Sequence, residues 1–350
     1  MRALVVQRYG PPQVLQMQQL PDPKPKAGEV LIRVKTIGVN FADLLQRMGV
    51  YPGTPKPPFV PGLEIAGVVE KAAEGSPAVA GAKSGEGEVF RPGEAVVALP
   101  QFNAYAEWAA VPTARVFRLP AGISFEDAAA IPVNYVTAWH AMFTMGNLQP
   151  NDRILIHGAG GGVGIAAVQL AHTRNLTIFG TAGPSKLDFL RKIGVHRVID
   201  YRNSDFVAAV KQSAPEGIEM VMDAIGGKSF ARSYECLGPT GRLVLYGFSA
   251  GAGEGVVRSR LAGLKAQLQT PRFHAFELMQ KNIAVIGVRL TQLLSRPALL
   301  RSELSEIFRL YAERKIKPVI ARAFRLEQAA EAHQFIHDRK NIGKVILVVK

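Results

Sequence analysis

The sequence is nearly free of cysteine: Cys236 is the single one among 350 residues, and there are only two tryptophans. One thiol excludes an internal disulfide framework and any zinc module built from several cysteines. No apolar run reaches the roughly 18–20 residues that a membrane-spanning helix needs. The N-terminus has a short apolar run followed by polar and proline-rich sequence, which does not fit a signal peptide. These absences predict a cytoplasmic protein.

Acidic residues are also scarce, since 28 Asp and Glu stand against 42 Lys and Arg, a net charge of +14. Such a surplus of positive charge indicates binding to a nucleic acid, an anionic membrane or an anionic cofactor. The segment 256–318 holds twelve basic and four acidic residues. These charges are spaced out, and no aromatic-interleaved RNA motif accompanies them. The simplest interpretation is a solvated basic face, with an oligomer contact or an anionic partner as alternatives.

The chain length predicts two domains, because 350 residues exceed the usual size of a single core. The first third contains short Val-, Ile- and Leu-rich runs between Pro and Gly, as strands do. Residues 72–90 are small and polar and predict a flexible insertion. From about 124, six strands alternate with helices, which indicates a doubly wound parallel sheet. We therefore predict an α/β protein with a β-rich domain of 1–123 and 318–350 and a parallel-sheet domain of 124–317.

A glycine-rich turn follows the first of these six strands, in RILIHGAGGGVGIAAVQLA, residues 153–171. In the dinucleotide-binding fingerprint the middle glycine, here Gly161, admits a pyrophosphate against bare backbone. The last, here Gly164, lets the helix pack on the strand. The helix N-terminus supplies free N–H groups and a partial positive charge. Because the motif lies between a strand and a helix, it predicts nucleotide binding.

The end of the second strand of this sheet indicates which nucleotide binds. Folds selective for NAD usually carry an Asp or Glu there, whereas this chain has GTAGPSK at 180–186. Lys186, and Tyr201 at the end of the third strand, are placed to meet a 2′-phosphate. The alternative for Lys186 is a solvated lysine in a first helical turn. We predict NADPH as the cofactor.

With the glycine turn, the loop NFADLLQRMGVYPG and the tail NIGKVILVV, the chain resembles the medium-chain dehydrogenase/reductase superfamily. It is more similar still to the quinone oxidoreductase (zeta-crystallin-like) branch. Within that branch, stretches such as GVNFADLL and PGLEIAGVV are most similar to the vesicle amine transport protein homologues. The resemblance implies a GroES-like catalytic domain, a Rossmann domain and a homodimer.

The same superfamily contains zinc alcohol dehydrogenases, in which a Cys ligand takes the place of Asn40 and a His-Glu pair that of Leu63-Glu64. Asparagine and leucine cannot replace thiolate and imidazole as zinc ligands. We therefore expect no metal. Without a Lewis acid, alcohol oxidation loses its main driver. What remains is hydride transfer to an electrophilic carbon of a quinone or an α,β-unsaturated carbonyl.

The resemblance also assigns cofactor contacts, all of which follow strands of the predicted parallel sheet. They are Gly160, Gly161, Gly162, Val163 and Gly164 for the pyrophosphate, Gly183, Lys186 and Tyr201 for the adenosine side, and Tyr246, Gly247, Phe248, Ser249 and Val288 for the nicotinamide side. Asn40 and Tyr51 correspond to catalytic residues beside the nicotinamide, where they would polarise the acceptor carbonyl. The alternatives are a packing role for Tyr51 and a backbone-bonding turn for Asn40.

Three functions follow from these observations. The first is an NADPH-dependent quinone or enone reductase. The second is a nucleotide-binding regulator or membrane-traffic partner with little redox activity. The third is an RNA binder that uses the basic segment 256–318. A nucleic-acid or membrane-surface partner is less favoured than a small-molecule substrate.

Overall fold

The computed structural model describes residues 1–72, 89–251 and 255–350, so most of the predicted insertion at 72–90 lies outside the described residues. The chain divides into two compact units. The first comprises Met1–Val133, Leu290–Glu313 and Pro318–Lys350, and the second comprises Asn134–Arg289 and Arg314–Lys317.

Within the described residues the chain forms fifteen strands and twelve α-helices. The strands are β1 (Arg2–Val6), β2 (Leu15–Gln19), β3 (Glu29–Val39), β4 (Glu64–Ala72), β5 (Ala95–Ala98), β6 (Trp108–Pro112), β7 (Val116–Arg118), β8 (Arg153–His157), β9 (Thr177–Ala182), β10 (Arg197–Asp200), β11 (Ile218–Asp223), β12 (Leu237–Leu245), β13 (Ala284–Gly287), β14 (Ile320–Arg325) and β15 (Lys344–Val348). The helices are α1 (Phe41–Arg47), α2 (Phe125–Ala130), α3 (Thr137–Trp139), α4 (Gly162–His172), α5 (Leu187–Lys192), α6 (Phe206–Ser213), α7 (Lys228–Tyr234), α8 (Gly255–Leu268), α9 (Ala275–Lys281), α10 (Leu290–Leu293), α11 (Pro297–Ala312) and α12 (Ala329–His337).

The first unit is built on a seven-stranded sheet with the order β14-β15-β3-β4-β5-β7, and β6 also pairs with β3. The long strand β3 alternates buried and more exposed residues, as a strand with one face on the core should. Near the end of the chain, β15 pairs antiparallel with β3, with Val345 opposite Val39. The last strand of the chain therefore lies beside the residues that lead into α1.

Helix α2 begins as the sequence predicts, because the Ser124 hydroxyl accepts the Asp127 N–H at 3.1 Å. The helix ends at Ala130, before Pro132. It packs on β3, β4 and β15 of the first sheet. Residues 124–133 and 290–313 group with the first unit, whereas the sequence assigned them to the parallel-sheet domain.

The second unit contains the predicted parallel sheet, with six strands in the order β10-β9-β8-β11-β12-β13. Every pairing in it is parallel. The central strand β8 is apolar and buried, with Ile154, Leu155 and Ile156 fully inaccessible to solvent. The strand order reverses between β8 and β11, and such sheets bind ligands at the carboxyl ends of the strands on either side of this point. The α/β fold class with a doubly wound sheet is confirmed.

Among the described residues, no helix is both long and apolar enough to cross a membrane.

Candidate functional site

The glycine turn between β8 and α4 has the backbone of an anion-binding loop. Gly158 has a φ of +64°, which favours glycine. The Gly161 N–H donates to the Gly158 carbonyl at 2.9 Å, and α4 begins at the next residue. A Cβ atom added at Gly161 would meet only that carbonyl oxygen, at 3.3 Å. The middle of the turn therefore presents bare backbone next to the free N–H groups of a helix N-terminus.

Gly164 shows why the last glycine of the motif is required. A Cβ atom added there would lie 2.6 Å from the Ala159 Cα and would also overlap the Gly158 carbonyl. Both neighbours are backbone, so a side chain at this position would push α4 away from the turn. The predicted pyrophosphate residues all lie in this turn or in the first turn of α4: Gly160, Gly161, Gly162, Val163 and Gly164.

The predicted adenosine-side residues meet beside this turn. The Lys186 side chain runs along Gly160, because an added Cβ there would lie 2.8 Å from the Lys186 Cδ. A Cβ added at Gly183 would be 3.8 Å from both the Tyr201 hydroxyl and the Arg202 Nε. The ends of β8, β9 and β10 thus bring an ammonium group, a phenol and a guanidinium group to one edge of the sheet.

Arg202 was not among the residues selected from the sequence. Its position in the sequence, directly after Tyr201 at the end of β10, could have indicated it. Its backbone N–H donates to Asp200 Oδ1 at 3.0 Å, and the other Asp200 oxygen accepts from the Asn203 amide at 2.7 Å. This carboxylate is therefore engaged within its own loop.

The predicted nicotinamide-side segment, Tyr246 to Ser249, is held by the residues that follow β11. The Tyr246 N–H donates to the Asp223 carbonyl at 3.1 Å, and the Ser249 N–H to the Ala224 carbonyl at 2.9 Å. A Cβ added at Gly247 would lie 2.9 Å from the Ala224 Cβ, so this contact requires glycine. Burial raises the pKa of Tyr246 and keeps its phenol neutral.

Phe248 and Val288 complete the same part of the edge. The Phe248 ring covers Gly226 and lies with its centroid 6.4 Å from that of Phe230. The Val288 N–H donates to the Leu245 carbonyl at 2.9 Å. All the predicted cofactor residues therefore belong to the second unit and follow strands of its sheet.

In the first unit, Asn40 belongs to a buried ion-pair cluster. Its Nδ2 donates to Glu64 Oε1 at 2.9 Å, and its Oδ1 accepts from Lys344 Nζ at 2.6 Å. Lys344 is also paired directly with Glu64, and the two side chains are 3% and 0% exposed. The second Glu64 oxygen accepts the Val133 N–H at 2.8 Å. Both ends of the Asn40 amide are thus engaged within the protein, and its contact with a substrate stays a prediction.

A second set of buried polar groups continues from Asn40. Asp43 Oδ2 accepts the Asn40 N–H at 2.8 Å and the Tyr105 hydroxyl at 3.1 Å. The same hydroxyl lies 3.0 Å from His333 Nε2. Burial raises the pKa of Asp43 to about 7, although the Asn40 N–H opposes that shift. Burial also lowers the pKa of His333 well below its ordinary value, so its ring is neutral.

Tyr51 follows α1 and is partly buried. Its N–H donates to the Leu45 carbonyl at 3.3 Å, and its own carbonyl accepts from the Thr54 hydroxyl at 2.6 Å. These bonds fix the backbone of Tyr51 in the turn before Pro52. The structure therefore places the two predicted catalytic residues on either side of α1, with Asn40 before it and Tyr51 after it.

The zinc position of alcohol dehydrogenases is filled here by groups that do not fit zinc. The amide of Asn40 replaces the thiolate, Leu63 has no donor atom, and the Lys344 ammonium group contacts both Asn40 and Glu64. A zinc ion would have to displace this ammonium group and would find one carboxylate and one amide. Within the described parts of the chain, no group of three or more His, Cys, Asp or Glu side chains could hold a metal ion.

Known proteins match this chain over both units. Residues 26–121 match the family model described as the alcohol dehydrogenase GroES-like domain, and residues 193–347 match the model described as zinc-binding dehydrogenase. The synaptic vesicle membrane protein VAT-1 homolog of Danio rerio is 38% identical over 351 residues, covering 100% of this chain and 70% of that protein. The chain belongs to the medium-chain dehydrogenase/reductase superfamily.

Two solved structures of this superfamily are also similar. The human synaptic vesicle membrane protein VAT-1 homolog-like protein is 35% identical with a TM-score of 0.84, covering 100% of this chain and 98% of that one. Quinone oxidoreductase of Escherichia coli, complexed with NADPH, is 27% identical with a TM-score of 0.85, covering 99% and 100%. The fold of the superfamily thus extends over the whole of this member.

The buried pair of Lys344 and Glu64 leads to a stability prediction. Lys344→Met leaves a buried carboxylate without its cation, which we expect to lower the free energy of unfolding by about 3–5 kcal/mol. The double variant Glu64→Gln/Lys344→Met removes both charges and should recover most of that loss. Urea unfolding followed by circular dichroism measures both values.

Arg33→Met provides the control for this prediction. Arg33 pairs with Glu70 at 3.9 Å, and these side chains are 50% and 47% exposed. Its removal should change the free energy of unfolding by less than about 1 kcal/mol. Equal losses for Lys344→Met and Arg33→Met would contradict the predicted cost of leaving the Glu64 carboxylate buried without its cation.

Proposed function

We propose that this member of the superfamily is a zinc-independent, NADPH-dependent reductase that transfers hydride to a quinone or an α,β-unsaturated carbonyl. The observation that carries the proposal is the group of Lys186, Tyr201 and Arg202 beside the open glycine turn. A dinucleotide whose pyrophosphate lies against Gly161 would place its adenosine ribose toward this group. Two cations and a phenol, with no acid at the end of β9, suit a 2′-phosphate better than a free 2′-hydroxyl.

The residues of the chain fit this cofactor by their backbone as well as by their charge. The open backbone at Gly161 and the N-terminus of α4 would take the pyrophosphate. The segment from Tyr246 to Ser249 would contact the nicotinamide side. The similarity to an Escherichia coli quinone oxidoreductase complexed with NADPH supports the same assignment. When bound, NADPH supplies the hydride.

The protein would contribute orientation and a hydrogen bond. We assign to the Tyr51 phenol a hydrogen bond to the acceptor carbonyl, which stabilises the negative charge that develops on that oxygen. The proton that completes the reduction comes from Tyr51 or from solvent. Most of the rate acceleration would arise from holding the reactants in place rather than from a strong acid–base pair.

The cluster of Asn40, Glu64 and Lys344 supports the zinc-independent part of the proposal. Its donor atoms are an amide, one carboxylate and an ammonium group that already neutralises that carboxylate. Such a set does not bind a Lewis acid. The acceptor must therefore stabilise the incoming electrons through its own conjugation, as quinones and enones do.

Turnover tests the proposed function. We expect the purified protein to oxidise NADPH faster when quinones or enones are added, measured by absorbance at the nicotinamide band. Tyr51→Phe should lower kcat about tenfold, the effect of losing one hydrogen bond of about 1.4 kcal/mol in the transition state. Tyr311→Phe is the control, because that hydroxyl is occupied by Asp127 at 2.7 Å. A rate that no acceptor raises above background would reject the reductase.

Lys186 tests the choice of NADPH. Lys186→Ala should weaken NADPH binding by roughly 1–3 kcal/mol, as for the loss of a charge-assisted phosphate contact, and should leave NADH binding unchanged. Titration calorimetry of the two cofactors measures the difference. Lys192→Ala, which removes an exposed lysine from the same helical region, should affect neither. Equal losses for NADPH and NADH would show that Lys186 does not contact the 2′-phosphate.

We further propose that the partner of this protein is a second copy of itself. Strand β13 lies at the edge of the second unit's sheet and pairs only with β12 among the described strands. Helix α9, which leads into β13, exposes Phe276 and Met279 at 68% and 70%. An open sheet edge next to exposed apolar side chains is suited to continuing the sheet into another molecule. Contact between two copies would cover both the edge of β13 and the exposed side chains of α9.

The mass in solution tests this partner. We expect light scattering to show a dimer and Phe276→Glu/Met279→Glu to shift it toward monomer. Met145→Glu, at an apolar side chain 47% exposed in the same unit, should not change the mass. A monomer that instead sediments with anionic vesicles, or binds RNA in a salt-dependent way, would favour the membrane-traffic or RNA-binding alternative.

A further inference from the structure

A buried carboxylate lies at the end of β11, beneath the cofactor edge of the sheet. Asp223 is 0% exposed and accepts hydrogen bonds on both oxygens. Oδ1 accepts the Ile225 N–H at 2.6 Å and faces the Gly226 N–H at 3.4 Å. Oδ2 accepts the hydroxyls of Ser229 and Ser233, each at 2.7 Å. Four donors therefore face the two oxygens of this carboxylate, which can accept from all of them.

From Ser233 the hydrogen bonds continue to the ends of the neighbouring strands β8 and β9. The His157 Nε2 lies 3.0 Å from the Ser233 hydroxyl, and the His157 Nδ1 lies 3.0 Å from the Thr181 hydroxyl. The Gly158 N–H points to the same Thr181 oxygen at 3.4 Å. His157, Thr181 and Ser233 are all buried, at 3%, 2% and 0% exposed. One connected series therefore runs from Asp223 to the first residue of the glycine turn.

The charge of Asp223 gives this series a single direction. A carboxylate only accepts, so Ser233 donates to it and the Ser233 oxygen is left to accept from His157 Nε2–H. The His157 Nδ1 then accepts from the Thr181 hydroxyl, whose oxygen faces the Gly158 N–H. Burial lowers the pKa of His157, which keeps the ring neutral. A neutral ring carries a single N–H, and here that N–H is on Nε2.

The two ends of the series belong to different parts of the cofactor edge. At one end, Gly158 opens the turn assigned to the pyrophosphate. At the other, Asp223 holds the backbone of Ile225, whose carbonyl accepts the Ala250 N–H at 2.8 Å. The preceding carbonyl, of Ala224, accepts the Ser249 N–H at 2.9 Å. The turn that Asp223 organises is thus the support of the segment assigned to the nicotinamide.

We propose that Asp223 is a positioning residue for the cofactor: it holds the support of the Tyr246–Ser249 segment and, through Ser233, sets His157 in the Nε2–H tautomer. The identity of the cofactor rests on the proposed function. Asp223 does not touch the cofactor in this proposal and acts only through the groups that it orders. The glycine turn and the nicotinamide-side segment are then joined by one set of oriented hydrogen bonds.

The tautomer of His157 tests the direction of the series without any ligand. In protein with 15N-labelled histidine, the His157 signals, assigned by their absence in His157→Gln, should show a neutral ring protonated at Nε2. In Asp223→Asn the new amide N–H donates to Ser233, which turns its hydroxyl toward His157, and the ring should change to Nδ1–H. An Nδ1–H or doubly protonated ring in the wild type, or no change in the variant, would overturn the proposal.

Cofactor fragments test the positioning role. Titration calorimetry of Asp223→Asn should show NADPH binding weakened about tenfold, which is the effect expected from the loss of about one hydrogen bond. Binding of 2′-phospho-ADP-ribose, which lacks the nicotinamide, should change less than about threefold. Asp188→Asn, the same replacement at a 99% exposed side chain, should change neither. Equal losses for both ligands, or none, would overturn the role of Asp223.

Ser233→Ala separates the two parts of the proposal. It removes the link to His157 but leaves the bonds from Asp223 to Ile225 and Ser229, so the His157 tautomer should change while the ratio of the two affinities stays at the wild-type value. A changed ratio would contradict the separate support of the nicotinamide-side segment. If the wild type binds no NADPH, the proposed function fails, whereas the tautomer measurement still decides the direction of the series.

Discussion

The close approach of α4 to the end of β8 is the constraint on which the cofactor edge depends. It holds only because Gly164 has no side chain to meet the backbone of Gly158 and Ala159. That contact points the helix N-terminus at the turn and leaves the backbone of Gly161 bare. The side chains that follow β9 and β10 then gather around a position that the backbone has already defined. On the proposed function, charge would select the nucleotide, whereas backbone packing would provide the place for it.

Each unit also contains a buried carboxylate, and the two are stabilised differently. Glu64 is neutralised by a buried cation, Lys344, so removing either partner leaves an uncompensated charge. Asp223 is surrounded by backbone N–H groups and serine hydroxyls. These neutral donors are oriented by the carboxylate, but none of them carries a positive charge that would neutralise it. In the first arrangement two charges compensate each other inside the fold around Asn40, whereas the second can orient groups several bonds away.

The sequence predicted those features that depend on neighbours in the chain. Local patterns predicted the six strands, the glycine turn and the cap at Ser124. The lack of an acid after β9 indicated Lys186 as a contact for a 2′-phosphate. The cluster around Asn40 could not be predicted in this way, because Lys344 comes from a strand about 300 residues later. The Asp223 series was missed for the same reason, whereas Arg202 had a local signal in its position directly after Tyr201. That series depends on contacts between residues at the ends of different strands, and the spacing of residues in the sequence does not reveal such contacts.

The occupied state of Asn40 bears on which acceptors the proposed reductase can use. Its amide is held between Lys344 and Glu64, so reaching a substrate would cost one of these buried bonds. Glu64 and Lys344 would stay paired with each other, but a buried ion would lose a charge-assisted hydrogen bond, which is stronger than one neutral hydrogen bond to a carbonyl. On the proposed function, the activation of the acceptor therefore falls to Tyr51 and to the acceptor itself. An isolated ketone, which cannot delocalise the incoming charge, should be a far poorer substrate than a quinone.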